Sequence, residues 1–210
     1  MNKLNDITAV VVRCGRTEWD DQDRLQGRTD LPLSASGREA VSACVRDLIE
    51  SLTGEPPAVV NCGPDEASVQ TAKMLAEPIG ARVKSLEGLQ GMNLGVWDGL
   101  LSSQLMERFP SAYREWKDRP DSVNPPEGET FEDLSHRVLM AACRVLDKAN
   151  GRPVAFVLRP ISYGLIVSWL TGQSTNRIWS ILDDGPQAQS LQIPRDRIRT
   201  TMEELKAGTR

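Results

Sequence analysis

The sequence predicts an α/β protein, a three-layer α/β/α sandwich around a mostly parallel central sheet. Three observations carry this. Residues 7–13, ITAVVVR, form a β-branched run too short for a helix and too apolar for an edge strand, as in a parallel strand buried on both faces. Short apolar runs of this kind then alternate with longer segments of helical periodicity. No repeat, low-complexity tract or linker interrupts the alternation, so residues 1–210 read as one domain.

The elements follow in order. After the first strand, Ser34 offers an N-cap to a helix with Val41, Val45, Leu48, Ile49 and Leu52 at helical spacing, closed by Gly54 and two prolines. A strand over 58–62, a helix over 65–76 and a short strand over 81–85 come next. A glycine-rich turn over 88–99 leads to a short helix over 102–109. Residues 110–129 hold four prolines with Tyr113 and Trp116, and read as an ordered loop. The whole of 87–130 is thus expected to form loop and short helix over a pocket at the C-terminal edge of the sheet. A long helix over 131–149 stops at Asn150-Gly151. A strand over 154–158, helices over 161–170 and 176–182, and a strand over 189–193 complete the alternation. In the charged tail, Ile198, Met202 and Leu205 share one helical face that would dock on the domain or on a partner subunit.

Composition narrows the function classes. Twenty-five basic residues against 29 acidic ones give a net charge of −4, with the basic residues scattered along the chain, an argument against a nucleic-acid surface. No apolar run approaches the roughly 20 residues needed to cross a bilayer, and the opening MNKLND has no apolar segment of the signal-peptide kind. Four cysteines without metal-ligand spacing point to a reduced, cytoplasmic set with no metal and no cofactor.

Sheets of this class place ligands at the C-terminal ends of their strands. There the chain reads Arg13-Cys14-Gly15-Arg16-Thr17-Glu18-Trp19, followed by Arg24, Gln26, Gly27, Asp30, Pro32, Leu33 and Gly37. This stretch resembles the signature of the histidine phosphatase superfamily, the phosphoglycerate mutase-like proteins. Pro126-Glu127-Gly128-Glu129-Thr130, with Arg137 in the helix after it, is similar to the phosphatase branch. The resemblance implies a phosphoglycerate mutase-like fold and a phosphoryl-transfer site made of two histidines, arginines and a glutamate. Aligned on it, the first histidine position holds Cys14, a phosphate-binding arginine position Ala67, the acid Gly91 and the second histidine Arg159. Arg16 and Asp20 depart from the signature as well.

Those four departures lead to the expectation of a catalytically inactive protein, a pseudophosphatase that binds an anionic or phosphorylated ligand or a protein partner. Two alternatives stand beside it: an active phosphomonoesterase or mutase-like enzyme with a rearranged site, and a purely structural interaction module. Arg13, Arg16 and Arg159 are the candidate ligand-binding residues, because guanidinium forks suit phosphate and carboxylate. Alternatively they pair with Glu18, Asp20 or Asp98 and close the crevice. Cys14 reads as a buried structural thiol, a replacement nucleophile, or a redox or metal partner of Cys62. His136 reads as an ordinary helix side chain, and Trp19 and Trp97 as packing near the pocket rim. The partners expected are phosphate or a phosphorylated small molecule and a second copy in a homodimer, with neither nucleic acid nor membrane.

Overall fold

The computed structural model describes residues 6–122 and 124–208. The reading of the opening residues as free of a signal segment falls largely on residues 1–5, outside that range. In chain order the elements are β1 (Asp6–Arg13), α1 (Glu18–Asp21), α2 (Ala35–Ser51), β2 (Val59–Cys62), α3 (Glu66–Ile79), β3 (Arg82–Ser85), α4 (Ser102–Arg108) and α5 (Pro110–Asp118). Then come α6 (Phe131–Lys148), β4 (Val154–Leu158), α7 (Pro160–Thr171), α8 (Ile178–Asp184), β5 (Ala188–Pro194) and α9 (Arg195–Ala207).

The five strands form one sheet in the order β3-β2-β4-β1-β5. The first four run parallel, and β5 lies antiparallel on β1. Alternation along β1 explains the two cores. Val10, Val12 and Cys14 pack with Val41, Val45 and Leu75 of α2 and α3 on one face, whereas Ile7, Ala9 and Val11 pack with α6 and α7 on the other. The expected α/β fold with a mostly parallel sheet between helical layers is what forms.

Local chemistry sets the helix boundaries. Ser34 accepts from the Gly37 N–H, Asp65 from Ser68 and Thr130 from Asp133, so α2, α3 and α6 all start on side-chain caps. α7 is buried on nearly every side, which accounts for its lack of a polar stripe. α9 packs on α6, the docking anticipated for the tail, and the His136 ring lies 3.0 Å from the Leu205 carbonyl.

Residues 110–129 differ from the expected loop. Pro110 stands at the first turn of α5, where its missing N–H costs nothing, and a 3₁₀ turn at Pro120–Ser122 follows. Trp116 from α5 is buried edge-on against Trp97 and Trp179, with ring centroids 5.9 and 5.2 Å apart. This ladder ties residues 95–118 to α8.

Candidate functional site

Cys14 and Arg159 meet where β1 and β4 end side by side. The Cys14 N–H donates to the Leu158 carbonyl at 2.8 Å, which continues the parallel ladder by one bond and brings the next residue, Arg159, alongside. Arg159 is the N-cap of α7, and Pro160 occupies its first turn, where no backbone N–H is required. The Arg159 Nη1 lies 3.9 Å from the Cys14 Sγ, and both residues are only 5% exposed.

Around this pair the contacts are specific. Arg159 Nη2 donates to Gln26 Oε1 at 2.9 Å and pairs with Asp20 Oδ1 at 3.4 Å, while its Nε is buried without a partner. The Thr71 hydroxyl accepts from the Gly15 N–H at 3.1 Å and lies 3.8 Å from the Cys14 Sγ. Asp65 Oδ2 is buried with no hydrogen-bond partner among the described residues, and the buried Ser68 hydroxyl faces the Cys14 sulfur. Burial pushes the Cys14 thiol up, against the opposing field of Arg159. Burial also works against the Arg159 charge, but the negative groups facing it, Cys14 when ionised, Asp20 and Asp65, outweigh that and raise its pKa. At neutral pH the pair is therefore a thiol beside a permanent cation.

The three candidate arginines do not converge. Arg13 points to the opposite face of β1 from Cys14, as strand alternation requires, and donates to the Leu182 carbonyl at 2.5 Å. Arg16 is exposed and pairs with Asp21 at 2.8 Å. The Asp21 carboxyl is held down at about 2 by hydrogen bonds from Ser34 and Ser36 and by Arg16. Of the other carboxylates named for closing the crevice, Asp98 is taken by the Gly27 N–H and the Thr29 hydroxyl, and Glu18 is exposed and accepts from Gln22. Of the expected anion ligands only Arg159 faces the crevice, and there it is tethered by Asp20 and Gln26.

Gly91 touches the same arginine. A Cβ built there would lie 3.3 Å from the Arg159 Cγ and 3.0 Å from the Gly27 carbonyl oxygen, both tighter than ordinary contact. Glycine at 91 makes room for the arginine stem at 159. Ala67 is fully buried in the first turn of α3, packed into the α2–α3 core. Trp97 is core, as expected, and Trp19 lies against Gly99, whose φ of +85° suits glycine.

The family follows from the whole pattern. A family model described as the histidine phosphatase superfamily (branch 1) matches residues 9–207. The chain belongs to the histidine phosphatase superfamily. Among its relatives in that superfamily, phosphoserine phosphatase 1 of Hydrogenobacter thermophilus is 25% identical over 174 residues, covering 83% of this chain and 81% of the relative. The "probable phosphoglycerate mutase GpmB" of Salmonella arizonae is 26% identical over 174 residues, covering 79% and 75%. The solved structure of mycobacterial glucosyl-3-phosphoglycerate phosphatase Rv2419c superposes with a TM-score of 0.71 at 22% identity, over 84% of each chain, a likeness of fold.

These comparisons correct the expectation of an inactive pseudophosphatase, because relatives over most of the chain bear the names of a phosphatase and a mutase. Sequence reasoning also missed Gln26, Asp65, Ser68 and Thr71 as crevice groups. Gln26 sits inside the matched signature, which marks the family without assigning it to the crevice, and Thr71 lies one helical turn beyond Ala67. Asp65 and Ser68 lie two positions before and one position after Ala67, and are found by reading the α3 cap as part of the site.

Proposed function

We propose that the protein is a phosphomonoesterase or phosphomutase working at a rearranged site, on small phosphorylated molecules. In this reading Cys14, Ala67, Gly91 and Arg159 stand where the superfamily carries its nucleophile, an arginine, its acid and its second histidine. Residues 87–130 roof the crevice within one domain. The observation that carries the reading is the Cys14–Arg159 contact, a nucleophilic sulfur against a cation whose Nε has no partner.

The chemistry is a two-step transfer. The Cys14 thiol gives its proton to Asp65 as its sulfur bonds to phosphorus and the ester P–O bond breaks, and the departing alcohol oxygen takes that proton from Asp65. Water then breaks the S–P bond, releasing inorganic phosphate and returning the sulfur. Arg159 balances charge on the phosphoryl oxygens, the role in which a preorganised cation contributes most. We assign the proton exchange to Asp65, whose Oδ2 is the carboxylate oxygen of the crevice without a partner. Substrate reaches Arg159 by displacing Asp20 and Gln26, so α1 and the turn after it form the entrance.

The named activities of the relatives support phosphate monoesters as the substrate class, and a cytoplasmic location fits four cysteines that are all unpaired. The test is phosphate release from p-nitrophenyl phosphate, O-phosphoserine and 3-phosphoglycerate. Turnover is expected in the native chain, with Cys14→Ala abolishing it and Arg159→Ala lowering it by ~10²-fold or more. Turnover that survives Cys14→Ala unchanged would overturn the assignment.

A further inference from the structure

An open groove of about 970 Å³ lies away from the Cys14 crevice, between α6 and the sheet face of β2 and β3. Val60, Cys62 and Val83 turn toward α2 and α3, so the alternate residues Arg82 and Lys84 of β3 fall on the other face, with Val59 and Asn61 of β2. Across from them α6 presents Arg144 and Lys148, and Arg152 closes the end next to β4.

These five cations are exposed, and none takes part in a salt bridge or side-chain hydrogen bond among the described residues. Arg137 also lines the groove, but its charge is already matched by Glu129. Glu87 is the one carboxylate on the wall. In a chain of net charge −4, the sequence scatters basic residues that the fold gathers on one groove. Like charges held around a concave surface repel one another and focus a positive potential, which an anion relieves.

The floor is apolar. Val59, Met140, Ala141 and Val145 form it between the two cationic arms. The volume falls at the upper end of small-molecule pockets, roughly 300–1,000 Å³. A two-fold contact with a second copy would set the same five cations against each other, a repulsive juxtaposition.

We propose that this groove is a second anion site, distinct from the crevice, for a nucleoside polyphosphate. Its ring system covers the apolar floor, and its phosphate chain bridges the β3 and α6 arms. On this proposal a phosphate chain without the ring leaves the apolar floor uncovered, and a nucleoside without the chain leaves the cations unmatched.

Calorimetry on the full chain at about 0.15 M salt tests this, with ATP, tripolyphosphate and adenosine as probes. ATP is expected to bind with a Kd below about 1 mM, tripolyphosphate and adenosine each more weakly. Lys84→Ala and Arg144→Ala should each weaken ATP about tenfold, since each removes a charge-assisted contact from an exposed position that the fold does not need. Arg159→Ala should leave ATP binding unchanged. The proposal is overturned by ATP failing to bind, by tripolyphosphate binding as tightly as ATP, or by affinity insensitive to Lys84→Ala. Loss of ATP binding in Arg159→Ala would relocate it to the crevice and equally overturn the groove. So would a concentration-dependent dimer that Lys84→Ala dissociates.

Discussion

Arg137 of α6 holds Glu129 through two parallel bonds, Nε to Oε1 at 2.5 Å and Nη2 to Oε2 at 2.7 Å. The same guanidinium donates to the carbonyls of Gln90 at 2.7 Å and Gly91 at 2.8 Å. Glu129 in turn receives the Asn93 N–H and pairs with Arg28. One arginine therefore fixes the backbone of the segment that packs against the Arg159 stem.

Removing that arginine should be costly. Glu129 is only 10% exposed in its side chain, so Arg137→Ala leaves a nearly buried carboxylate with only the Asn93 N–H and the more distant Arg28, and takes the arginine donor from the Gln90 carbonyl. A loss of about 3 kcal/mol is expected. Urea unfolding monitored by tryptophan fluorescence measures it, and Arg137→Lys should recover only part, because an ammonium cannot make the parallel pair.

Gly91 and Arg159 should be energetically coupled. Gly91→Ala forces the Cβ against the arginine stem and the Gly27 carbonyl, and should destabilise by ~1–3 kcal/mol. Combining it with Arg159→Ala frees the stem side of that contact. A double-mutant cycle is expected to show at least about 0.5 kcal/mol of relief relative to the sum of the single changes.

Thr71→Val preserves shape and removes one hydroxyl. The buried Gly15 N–H would lose its acceptor, at a cost of about 1–3 kcal/mol. The sulfur of Cys14 loses a donor as well. A lower denaturant midpoint, together with a thiol of Cys14 that alkylates only at higher pH, is the expected pair of results.

Stability should fall in alkali. Burial pushes Cys62 and Cys143 up to about 12, above the ordinary 9.0 of a thiol. Between those values the unfolded chain has released thiol protons that the folded chain keeps, so the native state binds more protons and unfolding becomes easier as pH rises. The contribution is complete below pH 9 and is lost progressively toward 12. Urea midpoints at pH 7, 9 and 10.5 should decline in that order, and Cys143→Ala should flatten the decline.

Much of the fold was legible because its signals are local. The β-branched run before Cys14, the run at 154–158 and the caps Ser34 and Thr130 each declare an element within a few residues. Pro110 misled because a proline at a helix start looks the same in sequence as one that ends a helix. The site was legible only in part. That Cys14 and Arg159 meet follows from parallel pairing of β1 with β4, which the motif alignment anticipates. That Gly91 makes room for Arg159 does not, since steric fit between distant residues leaves no periodic trace. The basic groove did leave one. Arg82 and Lys84 are two apart on a strand, and Arg137, Arg144 and Lys148 lie seven and eleven apart on a helix, so each set shares a face. Counting charge along the chain instead of by face hid it.

The pairing of β1 carries a consequence for how the protein is made. Ala9 waits for Val154 on one side and Ile7 for Ile193 on the other, so the strand that leads into Cys14 has no sheet neighbour until β4, far downstream, has left the ribosome. Such distant pairing is slow to form. Until then its β-branched segment is an exposed, sticky edge, made well before its partners and sealed only when they arrive.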